Sequence, residues 1–340
     1  MTSQRLASID FFRGTSVVMM VFLINVGKLA EVFPFLDHAQ WHGWTFTDLW
    51  FPFFIFIMGA SIPFALGRRI KAGSTKTQLV AAICRRTLIL SALGMILNGF
   101  PTYDLATIRI MGVLQRIALC YFLASMIYLA FKPRWQIGWA FALLLGYWGL
   151  IQFGGGYGLE GNLVGYVDRL ILGGHIWSAT KTYDPEGLLS TIPAVSMAVF
   201  GVFAGIHLNS EIASSGKGLA LPVLGGFAVF FALIWNSWVP INRWLWTSSF
   251  GLLMTGFAFM FLGFCHYFLD GKGRISWAKP FICLGTNALP VYFVTFLLVR
   301  LRLSAWASTP LEYFAYAVTQ VFLMLVFAWI LYRKKIFLKI

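Results

Sequence analysis

The sequence predicts an all-α integral membrane protein, a bundle of about ten transmembrane helices. Three observations predict it. Of 340 residues, 59% are hydrophobic and only 11% charged, against about 25% charged in soluble domains. The apolar residues fall in runs of about 20, the length a helix needs to cross a bilayer core. The basic residues gather in short connections between runs, so the net charge of +14 reads as membrane orientation and not as nucleic-acid binding.

The runs lie at 11–27, 47–67, 78–98, 109–131, 135–153, 187–207, 217–238, 246–269, 281–300 and 311–332. Asp10 and Arg13 stand at the start of the first and Asn25 near its end. Its apolar part, Thr15 to Asn25, has the length of a signal-peptide core. The charges at its start and the lack of a small-x-small cleavage site keep it as a retained helix. Asp48 leads into the second run. Between the second and third lies a dense basic group, Arg68, Arg69, Lys71, Lys76, Arg85 and Arg86. Arg109 and Arg116 mark the outer end of the fourth run, and Tyr183-Asp184-Pro185-Glu186-Gly187 precedes the sixth. Several runs contain Gly or Pro, which membrane helices tolerate where neighbours satisfy the freed backbone groups.

Ten spans put both termini on one side. That side and its helix ends hold 18 Lys and Arg, from Arg5 to the tail Arg333, Lys334, Lys335 and Lys339; the opposite side holds 8. The imbalance makes both termini cytoplasmic. The outward side then carries the two longer connections, Lys28 to Phe46 and Gly154 to Glu186, where an external substrate is expected. No internal repeat is visible, and residues 1–340 read as one polytopic domain. Cys84, Cys120, Cys265 and Cys283 fall in apolar runs without metal or redox spacing and read as free buried thiols.

Polar residues at membrane depth are costly and are functional candidates. His38 stands out, since imidazole moves protons near neutral pH; the plainer alternative is a hydrogen-bonded interfacial loop residue. His38 and His42 are spaced i, i+4, and on a helix they could share a metal with Asp37 or Asp48. That signal is weak, and no metal is expected. Asp10 and Arg13 share a helix face as an intrahelical pair or as a site. Asp48 is either a helix cap or a functional carboxylate. Arg109 and Arg116 are interfacial anchors or line a polar cavity. Residues 183–187 read as a helix start, with Asp184 capping and Pro185 first, or as substrate-binding carboxylates. The basic group at 68–86 is ordinary inward-facing charge or a phosphate site.

Seven strings and the Asn25 end of the first helix carry a family resemblance: SIDFFRG at 8–14, HAQWHG at 38–43, DLWFPFFIFIMG at 48–59, RIMGVLQRIAL at 109–119, YVDRLILG at 166–173, YDPEG at 183–187 and LYRKKIFLKI at 331–340. Through nearly its whole length the chain resembles the heparan-α-glucosaminide N-acetyltransferase family, in a compact, bacterial-type form. The resemblance implies transfer of an acetyl group from cytosolic acetyl-CoA to the amine of a glucosamine-type sugar outside the inner membrane. It assigns His38 as the active-site histidine, assisted by Asn25. Asp10, Asp48, Asp184 and Glu186 become candidates for orienting His38 or binding the amino sugar, Arg116 and Asn287 further acceptor-binding candidates, and Arg68, Arg69, Arg85, Arg86 and Lys334 candidates for holding acetyl-CoA. His42 departs from the family pattern, which usually has Asn there. The luminal domain of the lysosomal form is not expected here. A free amino sugar or short oligosaccharide is therefore the expected acceptor in place of heparan sulfate. The expected partners are these two substrates and the bilayer; the large aromatic faces are compatible with a homodimer. Two other readings remain: an amino-sugar transporter, and a membrane O-acetyltransferase for envelope polysaccharide.

Overall fold

The computed structural model describes residues 6–210, 214–301 and 303–337. Arg5, Arg302 and Lys339, and the side chain of Lys217, all counted among the loop charges, lie outside the described residues. The described residues form helices α1 (Ala7–Leu23), α2 (Leu29–Val32), α3 (Trp50–Lys71), α4 (Lys76–Gly99), α5 (Val113–Ala130), α6 (Pro133–Phe153), α7 (Leu163–Leu172), α8 (Thr191–Leu208), α9 (Ser214–Trp235), α10 (Ser248–Cys265), α11 (Lys279–Thr286), α12 (Ala288–Arg300) and α13 (Pro310–Arg333). They contain no strand, only an isolated bridge between Gly43 and Asn242.

Among the described residues, seven helical stretches are long and apolar enough to cross a membrane, and the bent pair α11–α12 makes an eighth. The other two expected spans fall on α1, of 17 residues, and on the apolar part of α9, Leu219–Trp235. Each of these is a few residues short of the usual spanning length of about 20. The protein is thus a multi-pass helical membrane protein.

Local chemistry fixes several ends. Thr75 and Gln78 form a capping box at α4, and Thr309 and Glu312 form another at α13. Helix α1 starts a turn earlier than expected. Its own N-cap, Leu6, offers no side-chain acceptor. Asp270, from the turn after α10, supplies it by accepting from the backbone N–H of Ala7 at 2.8 Å and of Ser8 at 3.2 Å. Residues 183–187 do not begin a helix; α8 starts at Thr191, because the carboxylates of this segment are held elsewhere, as described below.

Helices α3 and α8 form the centre. In α8, 78% of the apolar window is buried, whereas in α4, α6 and α13 it is 22–28%, which leaves broad apolar faces for lipid. Backbones α3 and α8 touch through small residues. A Cβ on Gly59 would lie 2.0 Å from the Ala198 carbonyl, and one on Gly201 2.1 Å from the Phe56 carbonyl. Without water to drive association, such close approach is how membrane helices gain packing energy. Helices α1 and α11 repeat the device with Gly14 against the Phe281 carbonyl and Gly285 against the Asp10 carbonyl.

Candidate functional site

The connection from α1 to α3 is irregular over residues 37–45. His38 and His42 therefore do not share a helix face, and the i, i+4 metal geometry does not form. His42 lies 3.5 Å from the Asn242 amide. His38 instead meets Asp48, ten residues on, with Nδ1 2.6 Å from Oδ1. Asp48 is held from several directions. It closes a capping box with Thr45, whose backbone N–H it accepts at 2.9 Å. It also accepts from the Ala39 N–H at 3.3 Å and pairs with Arg243 Nε at 3.1 Å. The carboxylate is fully buried, while 36% of the His38 side chain is open.

The connection from α9 to α10 completes this site. Trp244 donates its indole N–H to the Ala39 carbonyl at 2.7 Å and packs edge-on to His38, with ring centroids 5.8 Å apart. The Gly43 N–H donates to the Ile241 carbonyl at 2.7 Å. Burial and the nearby Arg243 cation hold the His38 pKa below its usual 6.5, against the opposing pull of Asp48 and Asp37. The imidazole is thus neutral at physiological pH. With Nδ1 committed to Asp48, its Nε2 is the nitrogen available to take a proton or attack a carbonyl. A shallow cavity of about 360 Å³ lies beside it, lined by Gly27, Ala30, Glu31, Asp37, His38 and Thr47 among others.

Asn25 is buried but donates to the Val21 carbonyl one turn back, at 2.7 Å. The structure does not bring it into hydrogen-bond contact with His38. Asp184 and Glu186 are also not open to a ligand amine, since both accept from the Arg109 guanidinium. Those carboxylates outweigh burial and raise the Arg109 pKa; Arg109, Arg116 and Arg243 together outweigh burial and lower that of Glu186. Arg116 is fully buried, with its guanidinium 4.8 Å above the Trp246 ring, and it donates to Ser190 and to the Gly187 carbonyl. Both arginines face inward and are not interfacial anchors. Asp168 explains two of the matched strings at once. It accepts from the backbone N–H of Asp184 at 3.1 Å and of Leu188 at 3.0 Å, so that 166–173 cradles 183–187.

A second and larger cavity, about 440 Å³, opens between α1, α3, α4, α5 and the α11–α12 break. Arg68, Arg69, Arg85 and Arg86 all line it. Arg86 packs 4.4 Å over the Tyr121 ring. Lys334 does not line it, although Phe337 of the same tail does. Asp10 and Arg13 sit on its wall as an ion pair of 3.4 Å, with Arg13 also donating to Ser61 and to the Gly285 carbonyl. Asn287 also lines it. Phe54 and Tyr292 are among its apolar lining residues, and Phe51, of the same apolar cluster, meets Trp246 edge-on at 5.5 Å.

Sequence reasoning did not single out Arg243, Trp244 or Asp168. Arg243 lies about 200 residues from His38, and the only signal it gives is an outward cation in an apolar chain.

Fold and site together define a multi-pass membrane protein with two chambers, one basic and one built around a histidine–aspartate pair. The chain is 30% identical to human (Homo sapiens) heparan-alpha-glucosaminide N-acetyltransferase across 99% of its own length, and 28% identical to the mouse (Mus musculus) protein across 100%. The chain spans about three-fifths of the length of these relatives, 60% and 61%. A domain family of unknown function, DUF5009, also matches residues 5–154.

Proposed function

We propose that the whole chain is one transmembrane acetyltransferase unit, carrying an acetyl group from cytoplasmic acetyl-CoA to the amine of a glucosamine-type sugar outside. The observation that carries this reading is the pairing of two chambers in a homologue of N-acetyltransferases: a cavity ringed by four arginines, and a neutral His38 braced by buried Asp48. The cavity volume lies within the usual range for small-molecule sites, about 300–1,000 Å³. Arg68, Arg69, Arg85 and Arg86 suit the phosphates of coenzyme A, which guanidinium groups bind through paired charge-assisted hydrogen bonds. The excess of basic residues supports a cytoplasmic position for this mouth and both termini, in an inner-membrane protein of ten spans that α1 and α9 would complete.

In this reading His38 Nε2 accepts a proton from the sugar ammonium, and the freed amine attacks the thioester carbonyl. An N–C bond forms, the C–S bond breaks, and the thiolate leaves as free CoA after taking one of the two amine protons. The products are the acetamide, CoA and one proton. In the covalent variant Nε2 attacks first and an acetyl-imidazole is then aminolysed. Asp48 holds the imidazole tautomer in either case. Asn25 acts from the end of α1, and Asp10 from the cavity wall.

The test is purified protein in detergent with acetyl-CoA and an acceptor series. Glucosamine is expected to be acetylated while N-acetylglucosamine is not. His38→Ala is expected to stay folded and lose turnover. Sugar uptake without acetyl-CoA consumption would make the protein a transporter, and acetylation of N-acetylated sugars would make it an O-acetyltransferase.

A further inference from the structure

The ninth apolar run is not one helix. It breaks at Asn287, where α11 and α12 meet at 73°. Helix α11 has 8 residues, about 12 Å at 1.5 Å per residue, so the break lies well inside the bundle. Five consecutive residues across it, Gly285, Thr286, Asn287, Ala288 and Leu289, all line the large cavity.

The two helix ends at the break are treated differently. The C-terminal end of α11 has a protein partner: Arg13 donates to the Gly285 carbonyl at 3.2 Å. The N-terminal end of α12, which carries the positive end of the helix dipole, has no side-chain cap and no acidic residue in its first turn. Its N-cap residue is Asn287, a type that ordinarily caps with its own side chain. Here Oδ1 has no hydrogen-bond partner, and Nδ2 reaches only the neighbouring Thr286 hydroxyl at 3.4 Å. The residue is 1% exposed. A buried amide oxygen without a partner is destabilising; oxygen and nitrogen exchange places by a half-turn of the amide.

We infer that the break at Asn287 is the acyl subsite: the Asn287 amide and the first backbone N–H groups of α12 receive the carbonyl oxygen of a thioester-bound acyl group. The chemistry fits. A carbonyl needs donors but carries no full charge, and the dipole end, with the N–H groups of Ala288 and Leu289 ahead of Pro290, supplies partial positive charge that grows in value as the oxygen becomes anionic. The apolar side chains alongside, Phe54, Leu289 and Tyr292, accept a short methyl terminus. The inference rests on the acetyl-CoA reading above and adds which groups hold the acyl end.

The test compares acetyl-CoA with free CoA, which lacks only the carbonyl and its methyl, by calorimetry in detergent without acceptor. Asn287→Asp keeps the shape and removes the donor; Asn287→Ala removes the side chain. Both variants are expected to weaken acetyl-CoA about tenfold while leaving CoA within about twofold. A general loss of packing would weaken both ligands equally, and an unchanged ratio of the two affinities would overturn the assignment. If neither ligand binds wild-type protein, the acetyl-CoA reading falls and takes this one with it. A measurement on the wild type needs no variant to fold: the infrared band of carbonyl-labelled acetyl-CoA. A bound band at or below its aqueous frequency supports the subsite; a shift up to the apolar-solvent position overturns it.

Discussion

At the scale of single residues, His38 is defined by the groups on either side of it. Asp48 fixes Nδ1 at 2.6 Å, and Arg243 shares the same carboxylate oxygen at 3.1 Å. The effects of the two on the imidazole are opposite in sign: Asp48 stabilises its protonated form, and Arg243, after burial, destabilises it. Because the pKa is depressed below 6.5, the neutral base persists at neutral pH and is lost only as pH falls through the lowered value. The acid limb of kcat/KM is therefore expected below pH 6.5. Arg243→Met removes a cation, raises the His38 pKa, and moves that limb to higher pH; a pH–rate profile reads it, and an unmoved limb would separate Arg243 from the base. Asp48→Asn leaves the shape but loses both the tautomer lock and the charge. A fall in kcat of about 10²–10⁴-fold is expected, with the acid limb moving down. A purely structural role for Asp48 would lower the amount of folded protein and leave the limb in place.

At the scale of elements, the apolar periodicity located ten helical segments, because a bilayer demands runs that hydropathy reads directly. It did not see the break in α11–α12, since the run from 281 to 300 stays apolar through Asn287 and the signal for a bend is conformational. Nor did spacing reveal the use of Asp184 and Glu186. The residues that read as a helix start are bound to Arg109, 75 and 77 positions away, and long-range pairing leaves no mark in local sequence. His38 and Asp48 were legible as residues; their partnership with Arg243 and Trp244 was not. Two stability predictions belong here. Arg109→Ala removes the guanidinium that both buried carboxylates share, leaving Asp184 only backbone N–H donors, and should cost about 3–5 kcal/mol, seen as a lower melting temperature in detergent. Gly201→Leu drives a side chain into the Phe56 carbonyl on α3 and should cost at least about 1–3 kcal/mol. Gly138→Leu, with open space at its Cα, is the control expected to melt like wild type.

At the scale of the whole molecule, the two chambers give the bundle its purpose. The four arginines and the histidine–aspartate pair belong to different cavities. If the arginine chamber faces the cytoplasm and His38 faces outward, neither substrate needs to cross; only the acetyl group does. Coenzyme A is too large and too charged to enter lipid, so sealed vesicles test this directly. With acetyl-CoA trapped inside and glucosamine added outside, the molecules whose arginine side faces the lumen should form N-acetylglucosamine in the external solution. With both substrates outside, turnover should be absent until detergent opens the vesicles. Equal rates in the two arrangements before opening would mean that both substrates enter from one side. The charge asymmetry of the loops would then orient the protein without organising its chemistry. Product formed only in the first arrangement would tie the positive-inside distribution of Lys and Arg to catalysis, since the same arginines that set the orientation would hold the donor.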